Sequence, residues 1–498
     1  MTDNIGTMLV ESVRAHGDRE AVVDGPVRLD YAALAQHAAA AAGRLAELGV
    51  APGDRVAILL PNGWEYVAGY LGVQLAGAVA VPVNARFTAP EVSYVLADSG
   101  TGVVLTNSAM TRLVSGAMAV DVSGIVTAPR HEIDLDGLPG LLPRGEDVAQ
   151  LLYTSGTTGR PKGAMQTHAN LLFNAETVRA RIGAAPGERT LIVAPLFHAT
   201  GLVSQLVAFL SAGACCVLVP AFKADAVLRV LVDERITVLG GVAAMLRLML
   251  TVDGADDADL SGLRLFVMGG SPVPETFPEE MAARLPKLVL GNVWGLTEAT
   301  SIVTYTAAGD YLARPWSVGR AVPGVEVRVS LDGGRPVDLR NVAGELCVRG
   351  PVVTAGYWAN PAATALTYEG GWLHTGDVGS IDADGYIRVL DRLKDMIIRG
   401  GENIYSLEVE NALAGHPDIA EVAVVGVPDP IFDERVRAVV VPKAGSTPTV
   451  ESVRAHAAAL LADYKVPAEV HFTDALPRNP SGKVLKTRLT EEPDDLAG

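Results

Sequence analysis

Between Tyr153 and Gly163 the chain reads Tyr-Thr-Ser-Gly-Thr-Thr-Gly-Arg-Pro-Lys-Gly, which brings four aliphatic hydroxyls, three glycines and a lysine into eleven residues. Glycines let a backbone turn tightly enough to aim several N–H groups at one anion, and hydroxyls and an ammonium add further donors. Thr154, Ser155, Gly156, Thr157, Thr158, Gly159 and Lys162 therefore read as a cradle for a polyphosphate. The loop is not a Walker P-loop: counted from Gly156, Pro161 stands where the second glycine belongs and Gly163 where the hydroxyl belongs.

Four further clusters carry groups that complement a nucleotide. Asn292-Val293-Trp294-Gly295-Leu296-Thr297-Glu298 ends on a hydroxyl beside a carboxylate, a hard-oxygen pair suited to Mg²⁺, which takes one or two protein oxygens and leaves the rest of its shell to phosphate and water. Gly376-Asp377 offers a carboxylate that can accept from both hydroxyls of a vicinal diol. Asp391-Arg392-Leu393-Lys394-Asp395 is a charged junction followed by Arg399-Gly400-Gly401, and Pro480-Ser481-Gly482-Lys483 presents a lysine on a glycine turn, where it could stabilise charge building in a transition state. Each also has an ordinary structural use: a helix cap, a turn aspartate, a solvated linker and a flexible tail.

Taken together, these motifs resemble the adenylate-forming superfamily, its acyl-CoA synthetases above all, with matches from about Asp54 to Lys486. The resemblance implies an AMP-forming carboxylate–CoA ligase that joins a carboxylic acid to ATP as acyl-AMP, releases pyrophosphate, and passes the acyl group to CoA. It implies that Thr154 to Lys162 hold phosphates, with Thr154 and Glu298 as metal ligands. Thr297 falls to the α-phosphate, Asp377 and Arg392 to the ribose, and Gly270, Ser271, Pro272, Asn292, Trp294 and Gly295 to the nucleotide pocket. Lys394 would be the hinge, Gly400 and Gly401 the border of the CoA tunnel, and Lys483 the adenylation lysine, with Lys486 its surface neighbour. Family members usually have Tyr at the position of Trp294, so the phenolic hydroxyl is missing here.

On the acyl side the resemblance points to Phe197, His198, Val242, Ala243, Gly269 and Trp294, with His198 among the catalytic residues. Amino-acid-activating relatives commonly carry Asp where this chain has His198, and Ala243 replaces a usual proline. A hydrophobic acid is the expected substrate, since a second carboxylate finds no basic partner among these residues. The alternatives are a stand-alone ligase that loads a carrier protein, or a relative that keeps one half-reaction.

The elements that must position these residues follow from periodicity. Short apolar runs alternate with helical patterns through the first two thirds, for example Val56 to Leu60 then Glu65 to Ala76, and Leu263 to Met268 then Glu275 to Ala283, which implies helix-covered parallel sheets in an α/β fold. After Gly324 the pattern is strand-rich, and from Ser406 to Phe472 an α-β-β-α-β run forms a small α+β unit. The division falls in the charged junction: residues 1–393 as the adenylation domain, 394–498 as a mobile lid bearing Lys483.

With 498 residues, 49% of them hydrophobic and 19% charged, the chain is long enough for more than one core and too apolar for disorder. Forty basic against 57 acidic residues give −17, without the basic stripe a nucleic-acid binder needs. Three cysteines without ligand spacing fit a reducing cytoplasm. The charge-free stretch Thr190 to Phe222 reads as a buried strand–helix–strand, with the helix over Leu202 to Ser211, rather than a membrane span, because prolines and glycines divide it. Oligomeric state stays open, a homodimer being compatible.

Overall fold

The computed structural model describes residues 3–123, 143–154, 160–306, 309–331, 333–478 and 484–490. Two large sheets form the first two thirds. The nine-stranded sheet is parallel from Val289–Trp294 through Leu265–Met268, Val238–Gly241, Arg189–Ile192 and Cys215–Leu218 to Glu20–Asp24, and antiparallel strands close both edges. The six-stranded sheet runs parallel through Met118–Asp121, Val103–Thr106, Arg55–Ile58, Val79–Pro82 and Val148–Thr154. Its last pair is antiparallel: Lys162–Thr167 returns beside Val148–Thr154, and a helix begins at His168. The strands on either side of the loop thus pair as a hairpin.

Strands buried on both faces read as continuous apolar runs, as Val79–Pro82, Val103–Thr106, Cys215–Leu218 and Leu265–Met268 do. One core extends between the two sheets and takes in Tyr66, Tyr70, Leu202, Phe209 and Trp294; a second lies on the far face of the nine-stranded sheet around Phe266 and Phe277. The charge-free segment forms the expected buried unit, its strands pairing in parallel. Its helix differs: Thr200–Val207 is a π-helix and only Ala208–Ser211 is α-helical. Gly201 explains the close start, because a Cβ there would lie 2.5 Å from the Pro195 carbonyl oxygen.

An antiparallel sheet of Glu326–Ser330, Gly344–Arg349, Trp372–Ile381, Tyr368–Glu369 and Ile387–Arg392 follows. The last unit has its own sheet (Ile397–Arg399, Glu402–Ile404, Ile419–Asp429, Asp433–Pro442, Glu469–Phe472) under helices Ser406–Ala414 and Val450–Leu460. Its core, built from Ile397, Val424, Val436, Val440 and Val453 among others, shares no residue with the cores before it. The junction between them is less open than its charges suggest. The strand runs through Arg392, Asp391 is buried, and only Leu393 and Lys394 are exposed.

Candidate active site

Parallel strands bring their carboxyl ends to one edge, and ligands of open α/β sheets bind there. Along that edge lie Gly241, Met268 and Trp294, with Gly269 donating its N–H to the Gly241 carbonyl at 3.2 Å and approaching Val293 so closely that a Cβ would sit 2.5 Å from Val293 Cγ2. Gly270 turns with φ +78°, followed by a half-buried Ser271 and an exposed Pro272.

Thr154 and Lys162 face each other as the last register pair of the hairpin, so the two ends of the loop are fixed side by side. Thr154 Oγ1 donates to Glu298 Oε1 at 3.3 Å, and Tyr357 Oη donates to the same oxygen at 2.8 Å. Gln166 Nε2 donates to the carbonyls of Thr297 (3.0 Å) and Thr300 (3.2 Å), tying the Thr-Glu turn to the strand that leaves the loop. Gly295 is required by that turn, since a Cβ would fall 1.5 Å from the Ser301 oxygen. Thr154 and Glu298 thus converge as a hydroxyl–carboxylate pair, a donor set that fits a hard divalent cation. Lys162 Nζ lies 5.2 Å from the Tyr357 ring centroid. Ser155, Gly156, Thr157, Thr158, Gly159 and Lys483 lie outside the described residues.

Asp377 is buried, and both of its oxygens are held: Trp294 Nε1 donates to Oδ2 and Arg392 Nε to Oδ1, each at 2.8 Å. Arg392 faces it across adjacent strands. The turn before it, Gly376 at φ +70°, is clamped by Glu345, whose Oε1 accepts from Gly376 N (2.9 Å) while Oε2 pairs with His374 Nδ1 (2.7 Å). Cys347 Sγ is 3.5 Å from the same imidazole nitrogen, and burial pushes its thiol up to about 12, so it stays protonated.

Asn292 is buried and uses its amide on the Ser317 carbonyl, so its described contact braces the strand from behind. On the acyl side, Asn62 fixes the turn before His198 by accepting from Leu196 N (2.8 Å) and donating to the Ala194 carbonyl (3.0 Å). His198 and Phe197 are half-buried there, and burial lowers the imidazole pKa below its ordinary value. Val242 caps the helix Ala243–Met249, with Ala243 buried at its first position. Gln205, one residue after Ser204 on the π-helix, stacks against Gly240 and donates to Thr190 Oγ1 and the Leu191 carbonyl.

Gly400 and Gly401 form a hairpin tip with φ +59° and +86°, held by Gly400 N to the Phe432 carbonyl; no hydrogen bond among the described residues joins them to the Asp377–Glu298 group. Lys486 corrects an expectation. It is not a surface neighbour, for its ammonium pairs with Glu410 at 2.7 Å and its side chain is only 21% exposed. Sequence reasoning missed Tyr357, Gln166 and Glu345. Of these only Tyr357 left a signal, standing in Gly356-Tyr357-Trp358 after a glycine–proline turn.

A hydroxyl–carboxylate pair beside a glycine- and hydroxyl-rich hairpin loop, with a clamped carboxylate and arginine on the neighbouring sheet, is the arrangement expected of an adenylate-forming ligase. Residues 9–358 match the family described as AMP-binding enzyme and residues 408–483 its C-terminal domain. The chain is 42% identical over 484 residues, 97% of each chain, to a feruloyl-CoA synthase of Amycolatopsis, and 36% identical over 500 residues, 98% of each, to a long-chain-fatty-acid–CoA ligase of Mycobacterium tuberculosis. It superposes on the o-succinylbenzoate CoA synthetase of Bacillus subtilis in complex with its acyl-adenylate intermediate with a TM-score of 0.87, at 30% identity, covering 99% of this chain and 98% of that one. The chain belongs to the AMP-binding enzyme family, as an acyl-CoA synthetase-type adenylating ligase that forms acyl-CoA with ATP. Among the described residues no helix is long and apolar enough to cross a membrane, and all three cysteines are free and buried.

Proposed function

We propose that this ligase activates a hydrophobic carboxylic acid and that its named residues divide the work as follows. The acid's carboxylate attacks the α-phosphorus of ATP, the bond to the bridging oxygen breaks, and pyrophosphate leaves. The CoA thiolate then attacks the acyl carbonyl and AMP departs. Asp377 accepts from the ribose hydroxyls while Arg392 and Trp294 hold its carboxylate still. Glu298 and Thr154 would hold Mg²⁺, which when bound neutralises phosphate charge. Lys162 and residues 155–159 take the β- and γ-phosphates, Thr297 the α-phosphate, and Gly270 to Pro272 with Gly295 border the base. Lys483 stabilises charge at the α-phosphate during the first step only.

The observation that carries this reading is the convergence of Thr154, Tyr357 and Glu298 at the mouth of the hairpin, with Asp377 and Arg392 paired on the neighbouring sheet. A neutral His198 next to Phe197, with Val242, Ala243 and Gly269 assigned to the same pocket, favours an apolar acyl group. Residues 1–393 and 394–498 act as two bodies that turn about Lys394 between half-reactions, so that Gly400 and Gly401 replace Lys483 at the site. The test assays hexanoic, palmitic, benzoic and ferulic acids for AMP release and thioester formation, with CoA and with a phosphopantetheinylated carrier as acceptors. Lys483→Ala should abolish acyl-AMP formation and spare thioester formation from supplied acyl-AMP. Turnover of dicarboxylic acids alone, or equal loss of both steps in that variant, would overturn the assignment.

A further inference from the structure

Three charged side chains meet at the junction between the two cores. Asp391, on the last strand of the large unit, is buried and accepts from the backbone N–H of Ser406 and from Arg392 N at 2.7 Å. Ser406 opens the first helix of the small unit, and its hydroxyl accepts from Lys486 Nζ. Lys486 also pairs with Glu410, one turn further along that helix, whose Oε1 accepts from Val424 N at 2.9 Å. Lys486 itself is anchored in the small unit: Leu485 N donates to the Pro477 carbonyl at 2.8 Å, Arg478 bridges Val484, and Leu489 is buried with Val425 and Val439.

A buried ammonium with a carboxylate on its own domain and a second carboxylate on the other side of a pivot has two settings. In the setting seen here Asp391 is satisfied by the small unit. Turning the small unit about Lys394 carries Ser406, Glu410 and Lys486 away together and leaves Asp391 without them, because Asp391 precedes the pivot and the other three follow it. The chain superposes, with a TM-score of 0.87 over 98% of its length, on the o-succinylbenzoate CoA synthetase of Bacillus subtilis in complex with ATP and magnesium ion, the reactants of adenylation. We propose that Lys486 is a positioning residue: through Ser406 and Asp391 it latches the small domain in the adenylation arrangement, and its release accompanies the turn to thioester formation. This rests on the two-body reading above.

The experiment compares wild type with Lys486→Met, Lys486→Arg and Asp391→Asn, using whichever of the four acids the wild type turns over fastest. ATP–pyrophosphate exchange reads adenylation, and single-turnover transfer from supplied acyl-AMP to CoA reads the second step. Loss of one charged hydrogen-bond partner in one arrangement only should lower adenylation by about tenfold or more in Lys486→Met, leaving transfer unchanged or faster. Lys486→Arg should recover most of the loss, which a packing defect would not allow, and Asp391→Asn should shift the ratio of the two steps in the same direction while keeping the Lys486–Glu410 pair. Thermal unfolding identifies any variant that fails to fold, in which case Asp391→Asn decides. The latch is refuted if both steps fall together in folded protein, or if Asp391→Asn keeps the wild-type ratio. Failure of the wild type to make acyl-AMP from any acid would instead refute the assigned activity and leave the latch aside.

Discussion

The side of the site proposed for the nucleotide and the side proposed for the acyl group are built by different means. Around Asp377 polar groups have charged or hydrogen-bonded partners: Asp377 joins Trp294 and Arg392, Glu345 joins His374 to the adjacent Gly376 N–H, and Glu298 is held by Tyr357 and Thr154. The residues proposed for the acyl side are His198, Phe197, Val242, Ala243 and Gly269, the helix after His198 is in the π form, and Gln205 keeps a buried Oε1 with no hydrogen-bond partner among the described residues. ATP is the same molecule in every turnover, so a pre-set polar frame suits it, and fixed donors need no reorganisation when charge develops. Acyl groups are recognised by shape, and a wall of small apolar residues can be recut without disturbing that frame.

If that contrast is right, damage on the nucleotide side should be large and indifferent to the acid. Asp377→Ala leaves the Trp294 N–H and the part-exposed Arg392 without their carboxylate, and each lost hydrogen bond to a charged group costs about 1.5–3 kcal/mol. A fall of roughly 10²–10³ in kcat/KM for ATP is expected, equal for all acids, measured by pyrophosphate exchange. Glu298→Gln keeps the shape and removes the charge, so about a 10²-fold loss is expected, with more Mg²⁺ needed for half-maximal rate; an unchanged Mg²⁺ titration would remove Glu298 from the metal. Trp294→Phe deletes one hydrogen bond to a carboxylate, worth about 1.5–3 kcal/mol. It should raise KM for ATP by about tenfold, with a smaller change in kcat.

Changes on the acyl side should be smaller and selective. Ala243→Leu fills space at a buried helix start, and overpacking of that kind costs about 1–3 kcal/mol. It should reorder the acids by kcat/KM while KM for ATP stays within about twofold, and a uniform loss across acids would blur the division drawn here. The smallest effect concerns pH. Burial lowers the folded pKa of His198, so the imidazole is neutral at pH 7 and protonates only below its ordinary range. Lowering pH from about 7.5 to about 6.5, from above the ordinary histidine pKa to near it, should therefore not titrate it, and His198→Gln should leave that part of the pH–rate profile unaltered. The sign for stability is the same as for any depressed base: protonation in the unfolded chain draws stability down as pH falls below that ordinary value.

Much of the nucleotide side was legible because its chemistry sits in contiguous words. The hairpin loop, the Thr-Glu step, the Gly-Asp step and the Arg-x-Lys junction each carry their chemical groups within a few residues, and strand and helix positions followed from apolar periodicity. What escaped were partners distant in sequence and outside those words. Tyr357 lies 59 residues from Glu298, and Glu345 lies 31 from Gly376. Lys486, 80 residues from Ser406, reads as a surface lysine because nothing local announces Glu410 and Asp391 around it. The π-helix was equally hidden, since an apolar run has the same composition in either helical form.

The sequence alone determined the chemistry available, the alternation that yields helix-covered parallel sheets, and the presence of a separate α+β unit. Those properties depend on residue type and short-range spacing, which steric and hydrophobic rules translate directly. Only the tertiary structure decided which oxygen each donor meets. It turned Trp294, set where a phenol is usual, into a donor to Asp377, and it buried Asp391 inside what reads as a solvated linker. The reason is physical: a hydrogen bond is defined by distance and direction between atoms that chain folding brings together, and its worth depends on how far folding excludes water from it.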